Sequence, residues 1–328
     1  MKKFIATTTI NNEPEKTSYK LFLEEHPDWT LVISGDEDTC ENEYRDFIKE
    51  KNAVYLSLGQ QAEMNPRLHK LIGKNTDTRK MFSILYSYLE GADVVALVDD
   101  DNFPLPEWGK NLWLEKEEID CCCYTPETPD TVVDPIYMAI SNPSIWHRGI
   151  PLEDKIKRHL VKQSTINFKP LIQVDMWYGE PDTDAICRFL GVTEGCFDKQ
   201  SYYSGSFPFT VNGFSPFNAQ NVFLSREIVP FYFLFPSLGR MSDIWIAYYL
   251  ESLYKQPIVI YDQPSVIQYR NPHNILIDFQ KEILGYLNNK NLVKDLSIFS
   301  PLFFNYITKK ESKGYLQYIL ELMKKGGE

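Results

Sequence analysis

Along the first hundred residues, apolar runs suited to strands alternate with stretches of helical period. Phe4 to Ile10 reads as a first strand, broken by Asn11, Asn12 and Pro14. Ser18 to Glu25 fits a short helix, and Trp29 to Ser34 a second strand closed by Gly35-Asp36-Glu37-Asp38. Glu41 to Glu50 reads as a helix, Ala53 to Leu58 as a third strand and Pro66 to Ile72 as a short helix. Thr76 to Glu90 places Met81, Ile84, Leu85, Tyr88 and Leu89 on one helical face and stops at Gly91, as a C-terminal glycine would. Val94 to Asp99 is then a continuous, β-branched, apolar run, which predicts a strand buried on both faces. Such alternation implies a mostly parallel sheet with right-handed crossovers.

From Pro104 to about Pro170 the period is poor and Pro is frequent, with Trp108, Trp113 and Trp146 among them. That predicts a long irregular segment, of the kind that covers a site. Within it, Cys121 to Cys123 read as a buried strand segment. Beyond it, strands are expected at Ile172–Trp177, Asn218–Ser225 and Pro257–Tyr261. Helices are expected at Thr183–Phe189, Arg226–Phe235 and Asp243–Tyr254, the last with Ser242 as its N-cap. The chain after the polar turn Gln268 to Asn274 reads as helical, including an amphipathic stretch from Tyr315 to Lys325. The division expected is 1–103 as one half of a domain, 104–285 as its second half, and 286–328 as a helical extension.

The central strand ends in Asp99-Asp100-Asp101-Asn102. Adjacent like charges are costly unless a cation or hydrogen-bond donors answer them. On an extended chain Asp99 and Asp101 would share a face, giving hard oxygen donors where open α/β sheets bind ligands. Such carboxylates suit Mg²⁺ or Mn²⁺ and, through the ion, phosphates. The alternative is a solvated acidic turn. Arg79 and Lys80, on the preceding helix, are candidates to reach a diphosphate. Asp243 opens a helix, where it serves either as a base or as a capping residue. His273 is a candidate metal ligand, and Arg148, in a Gly/Pro-bounded loop, a candidate phosphate clamp. For both, a structural or surface role is the alternative.

The net charge of −11 argues against a nucleic-acid partner but not against a nucleotide bound through a metal. The 14% aromatic content suits a sugar cleft or a thick core. Six cysteines without a CxxC spacing do not form a zinc framework, and no apolar run reaches about 18 residues. A reduced, cytoplasmic protein without a transmembrane segment is expected. There is no GxGxxG after the first strand and no P-loop sequence.

In order along the chain stand Arg79, Gly91-Ala92-Asp93, Val98 to Asn102, Arg148-Gly149-Ile150-Pro151, Gly239 to Trp245, and Arg270-Asn271-Pro272-His273-Asn274. This series resembles the glycosyltransferase-like family of the reversibly glycosylated polypeptides (UDP-arabinopyranose mutases) and the STELLO-type proteins. The resemblance covers roughly residues 70 to 285, and its last two segments look most like the STELLO side. It implies a GT-A fold, α/β with a mostly parallel mixed sheet. It also implies a nucleotide-sugar donor, foremost a UDP-sugar, a sugar acceptor and Mn²⁺ or Mg²⁺. On this reading Thr7, Thr8, Asp36, Arg79, Asp99 and Asp100 hold the donor. Asp99, Asp101 and His273 take the metal. Asp243 and Arg148 are catalytic. The chain carries Asn102-Phe103-Pro104 where the mutases have a Cys, a departure from their pattern. The expected activity is glycosyl transfer in cell-surface polysaccharide or glycoconjugate synthesis. The alternatives are a nucleotide-sugar mutase and a non-catalytic nucleotide-binding scaffold. The C-terminal helix is compatible with a homodimer.

Overall fold

The computed structural model describes residues 1–181, 183–203, 205–236, 238–270 and 274–298. The first elements are β1 (Lys3–Thr8), α1 (Tyr19–Glu25), β2 (Trp29–Ser34), α2 (Glu41–Phe47), β3 (Ala53–Leu56), α3 (Leu58–Met64) and α4 (Pro66–Ile72). Next come α5 (Lys80–Leu89), β4 (Val94–Leu97), β5 (Asn102–Pro104), β6 (Ile119–Pro126), α6 (Pro135–Ile140), β7 (Val161–Phe168) and β8 (Ile172–Gly179). The last are α7 (Ala185–Phe189), β9 (Phe209–Val211), β10 (Val222–Ser225), α8 (Ser242–Ser252), β11 (Val259–Gln268) and α9 (Ile275–Ser297). These residues fall into two compact units. One comprises Met1–Asn111 with Ala219–Ser237, the other Leu112–Asn218 with residues 238–298.

In the first unit β3, β2, β1 and β4 are hydrogen-bonded in that order and all parallel, and β10 adds antiparallel to β4. Burial of β4 on both faces explains its unbroken apolar sequence. Because the four strands are parallel, their carboxyl ends share one edge. The segment entering β10 comes to that same edge, since Val222 pairs with Leu97. Trp29 and Trp108 pack with ring centroids 4.8 Å apart in the core, and Trp108 Nε1–H donates to Asn221 at 2.8 Å. These two Trp are core residues, not a sugar platform.

Three local expectations change, the first being Arg226–Phe235, which is not a helix but holds a 3-10 turn at Val229–Phe231. The central strand stops at Leu97 rather than Asp99, and the acidic triplet forms a turn. The Asn102 N–H donates to the Asp99 carbonyl at 3.2 Å, while the Asn102 side chain accepts from the Asp99 N–H at 2.9 Å. Asn makes such local bonds readily, which breaks the extended geometry and with it the alternation argument for Asp99 and Asp101. Helix α3 was not expected. Its signal is the capping box of Ser57 and Gln60, overlooked beside Gly59.

In the second unit the sheet order is β8, β11, β9, β6, β7. Strands β8 and β11 are parallel, as are β9 and β6, whereas β11–β9 and β6–β7 are antiparallel. The stretch expected to be irregular thus holds an eight-residue strand pair, Ile119↔Phe168 to Pro126↔Val161. Strand β7 is polar and exposed along most of its length, as suits an edge, so its period is weak. Helix α8 begins at Ser242 itself, directly after a 3-10 turn at Gly239–Met241, so Ser242 is not its N-cap.

Candidate active site

The acidic turn lies at the carboxyl edge of the parallel strands, where ligands bind in open α/β sheets. Its three carboxylates have different fates. Asp99 is half-buried; its Oδ1 lies 2.5 Å from Lys80 Nζ and its Oδ2 accepts from Gln220 Nε2 at 2.5 Å. Lys80, itself buried, also donates to the Ala219 carbonyl at 2.9 Å. Asp100 turns inward and accepts from Thr9 Oγ1 at 2.5 Å and Asn11 Nδ2 at 2.7 Å. Burial pushes its carboxyl above the usual carboxylate range. Asp100 therefore ties the turn to the end of β1. Asp101 is half-exposed and accepts weakly from Asn102 Nδ2, at 3.5 Å.

Thr7 is buried against Tyr19, 3.1 Å between hydroxyls, and Thr8 Oγ1 donates to the Ser34 carbonyl at 2.8 Å. Asp36, at the end of β2, accepts from the Glu37 and Thr76 amides at 2.7 and 3.1 Å and pairs with Arg79 Nε at 3.3 Å. Arg79 is fully buried. Its guanidinium also donates to Gln61 Oε1 at 2.6 Å and to the Gly73 carbonyl. Desolvation pulls its pKa down. Arg79 thus braces the Asp36 loop from inside, and the cation beside the acidic turn is Lys80.

In the second unit the structure joins two segments that the sequence separates. Arg148 Nη1 and Nη2 donate to Asp243 Oδ1 and Oδ2 at 2.9 and 2.8 Å, a bidentate pair largely out of solvent. The Ile244 N–H donates to Asp243 Oδ1 at 2.9 Å. Gly149 adopts φ +100°, and a Cβ there would stand 2.3 Å from Ile244 Cγ2. Its carbonyl accepts from Tyr248 Oη at 2.9 Å and Asn289 Nδ2 at 2.8 Å, while Asn289 Oδ1 accepts from Trp245 Nε1 at 2.8 Å. The Arg-Gly-Ile-Pro loop and the Ser-Asp-Ile-Trp helix therefore form one packed assembly, stitched by Asn289 of α9. His273 lies outside the described residues. Among the described residues no group of three His, Cys, Asp or Glu side chains is placed to hold a metal ion.

A buried carboxyl pair escaped the sequence reading. Asp175 on β8 and Asp262 on β11 are register neighbours. Asp175 Oδ1 accepts from Gln173 Nε2 at 2.8 Å, and Asp262 Oδ2 accepts from Trp113 Nε1. Burial, then the charge of Asp262, pushes the Asp175 carboxyl up to about 7. An unfolded Asp loses its proton near pH 3.9. The folded state therefore binds the proton more tightly, and this group's stabilising contribution is fully present below about pH 4, falls as pH rises, and is gone above about 7. Asp175→Asn keeps the Gln173 bond and removes the titration. It is expected to melt higher than wild type at pH 8, with the gap closing toward pH 5, by thermal unfolding at both values. An equal shift at both pH values would contradict this origin.

No protein-family model matches the chain. The probable glycosyltransferase STELLO2 of Arabidopsis thaliana is 30% identical over 145 residues, 42% of this chain and 19% of that protein. STELLO1 of the same plant is 29% identical over 152 residues, 44% of this chain and 20% of that protein. The chain thus spans about a fifth of the length of the curated relatives it matches. Among solved structures, glucosyl-3-phosphoglycerate synthase from Mycobacterium tuberculosis with Mn²⁺, UDP-glucose and phosphoglyceric acid aligns at TM-score 0.48 and 12% identity, over 88% of this chain and 80% of that one. A mycobacterial protein aligns at 0.47 and 10%, over 88% and 75%. At that distance no residue roles are carried across. Over the matched stretch the chain is similar in sequence to the STELLO proteins.

Proposed function

We propose that the chain transfers a sugar from a nucleotide-diphosphate donor, foremost UDP-linked, to a sugar acceptor in glycoconjugate or polysaccharide synthesis. The observation that carries this reading is the acidic turn at the carboxyl edge of the parallel strands, with Lys80 and Gln220 fixing Asp99. The names of its relatives point the same way. The donor set also suits the implied cation. Mg²⁺ and Mn²⁺ sites of this kind use one or two carboxylates and take the remaining donors from phosphates and water. Asp101 would hold the ion, with Asp99 beside it, and His273 remains a candidate ligand. When bound, the ion supplies charge neutralisation on the departing diphosphate.

The chain's own groups do the rest. Lys80 keeps Asp99 oriented and places positive charge beside the diphosphate. Thr8 and Asp36, at the ends of β1 and β2, stand at the edge where the nucleoside would lie. Asp243 receives the acceptor hydroxyl's proton, and Arg148 fixes the plane of that carboxylate. Incubation with labelled UDP-sugars and Mn²⁺ tests the reading. Release of UDP that rises with added acceptor supports transfer. Isomerised donor without acceptor would assign a mutase, and binding without turnover a scaffold.

A further inference from the structure

Tyr286 of α9 reaches two carboxyls at once. Its Oη lies 3.0 Å from Asp184 Oδ1 and 2.9 Å from Glu282 Oε2. A phenol carries one hydrogen, so it donates to one carboxyl and must accept from the other. An ionised carboxylate has no hydrogen to give, so one of the two is protonated. Their surroundings decide which. Glu282 Oε1 accepts from Arg240 Nε at 2.7 Å, with Arg188 Nη2 3.7 Å away, and its Oε2 takes the Ala185 N–H at 2.9 Å, all of which favour the anion. Asp184 is fully buried, with no cation paired to it among the described residues. Burial, then the charge of Glu282, pushes its carboxyl up to about 7, against the opposing pull of the Ile186 N–H, Tyr286 and Trp146. The hydrogens then run one way, from Asp184 to Tyr286 and from Tyr286 to Glu282.

We propose that Asp184, Tyr286 and Glu282 hold one proton between them that latches α9 onto α7, and that its release loosens α9 from the Arg148–Asp243 assembly. Asp184 opens α7, accepting the Ile186 N–H at 2.9 Å, and α7 packs on α9. Within one turn of Tyr286 along α9, Asn289 holds the Gly149 carbonyl and the Trp245 indole. The proton site and the stitch thus belong to one stretch of helix. The other ionisable groups around the proton do not take it. Cys187 on α7 is a buried thiol pushed up by burial and then by Asp184, so it stays neutral. Arg188 of α7 and Arg240 of the 3-10 turn pair with Asp278 at 3.0 and 3.6 Å. His147, bridged through its backbone to Thr183, sets its Nδ1 2.6 Å from the Arg148 carbonyl. Asp134 pairs with Arg158 at 2.9 Å. A detached Asp loses its proton near pH 3.9. The latched state binds the proton more tightly, so the latch is at full strength below about pH 4, weakens as pH rises and is gone above about 7. As regulation of the proposed transfer this rests on Asp243 being its base; the latch itself does not.

Hydrogen-exchange mass spectrometry on the full chain between pH 5 and 8, which needs no substrate, tests this once rates are corrected for the pH dependence of intrinsic exchange. Protection of the α9 amides is expected to fall by up to about tenfold per pH unit from pH 5 to 7, the effect of one released proton, and then to level off. Asp184→Asn, neutral throughout, flattens that fall. Tyr286→Phe removes the bridging hydroxyl and lowers α9 protection more at pH 5 than at pH 8, whereas loss of a merely packed group would lower it equally at both. Wild-type protection that does not change with pH overturns the proposal, as does the same fall in Asp184→Asn or an equal loss at both pH values in Tyr286→Phe. The expected pattern in a chain that turns over no nucleotide sugar supports the latch and contradicts only the role given to Asp243.

Discussion

Asp243→Asn is expected to lower nucleotide-sugar turnover by about 10²–10⁴-fold, the usual contribution of a positioned general base, while UDP binding persists. The substitution is nearly isosteric, so shape changes little, but an amide nitrogen now meets the Arg148 guanidinium donor to donor. Arg148→Ala leaves the opposite problem, a partly buried carboxylate without its bidentate partner, and costs about 3–5 kcal/mol of stability. Arg148→Lys supplies charge without the planar fork and restores little of the activity. Catalytic and structural roles separate by measuring turnover per folded molecule. If the loss of turnover in Asp243→Asn merely tracks the folded fraction, Asp243 is a packing residue and the acceptor site lies elsewhere.

Gly149→Ala is expected to destabilise the fold on the same scale as Arg148→Ala. Two effects add. A residue with a Cβ is strained at φ +100°, by about 1–3 kcal/mol. The new Cβ would also meet Ile244 Cγ2 at 2.3 Å, and overpacking of this kind costs about 1–3 kcal/mol more. Relief by movement of the loop would pull the Gly149 carbonyl from Tyr248 and Asn289, and Arg148 from Asp243. Denaturant unfolding should show a loss of about 2–6 kcal/mol. Trimming the opposing side chain, Ile244→Ala, should cost less in the Gly149→Ala background than in wild type, since it removes the clash. Additive losses would place the strain in the backbone alone.

The local elements were legible where one short stretch carries the whole signal. Trp29–Ser34 and Pro66–Ile72 have the bounds read from their sequences, because a compact apolar run closed by Gly35-Asp36 and a Pro start need no tertiary context. The long middle segment was not, because β7 is a polar edge strand and its apolar period is erased by solvent. The acidic triplet stood out by charge alone, but its turn geometry depends on one side chain, Asn102. Lys80 was visible as a cation on the right helix. Its partnership with Asp99 was not, and Gln220, 121 residues from Asp99, gave no local sign at all. Arg148 and Asp243 were each singled out from their own motif, yet their pairing spans 95 residues and exists only in the fold. The same holds for Asp175 and Asp262, whose meaning comes from adjacent registers of two parallel strands.

Nucleotide binding at the acidic turn is the central claim, and a thermal-shift titration of UDP with and without Mn²⁺ tests it most directly, on wild type and on Asp101→Ala. A ligand that binds only the folded state raises the melting temperature in step with ln(1 + [L]/Kd). Each shift is read against the ligand-free melting temperature of the same protein, so an effect of the substitution on stability alone does not enter. The predicted result is a UDP shift that requires the metal in wild type and is absent from the variant. A shift of equal size in Asp101→Ala, or none with any nucleotide in wild type, would contradict the assignment.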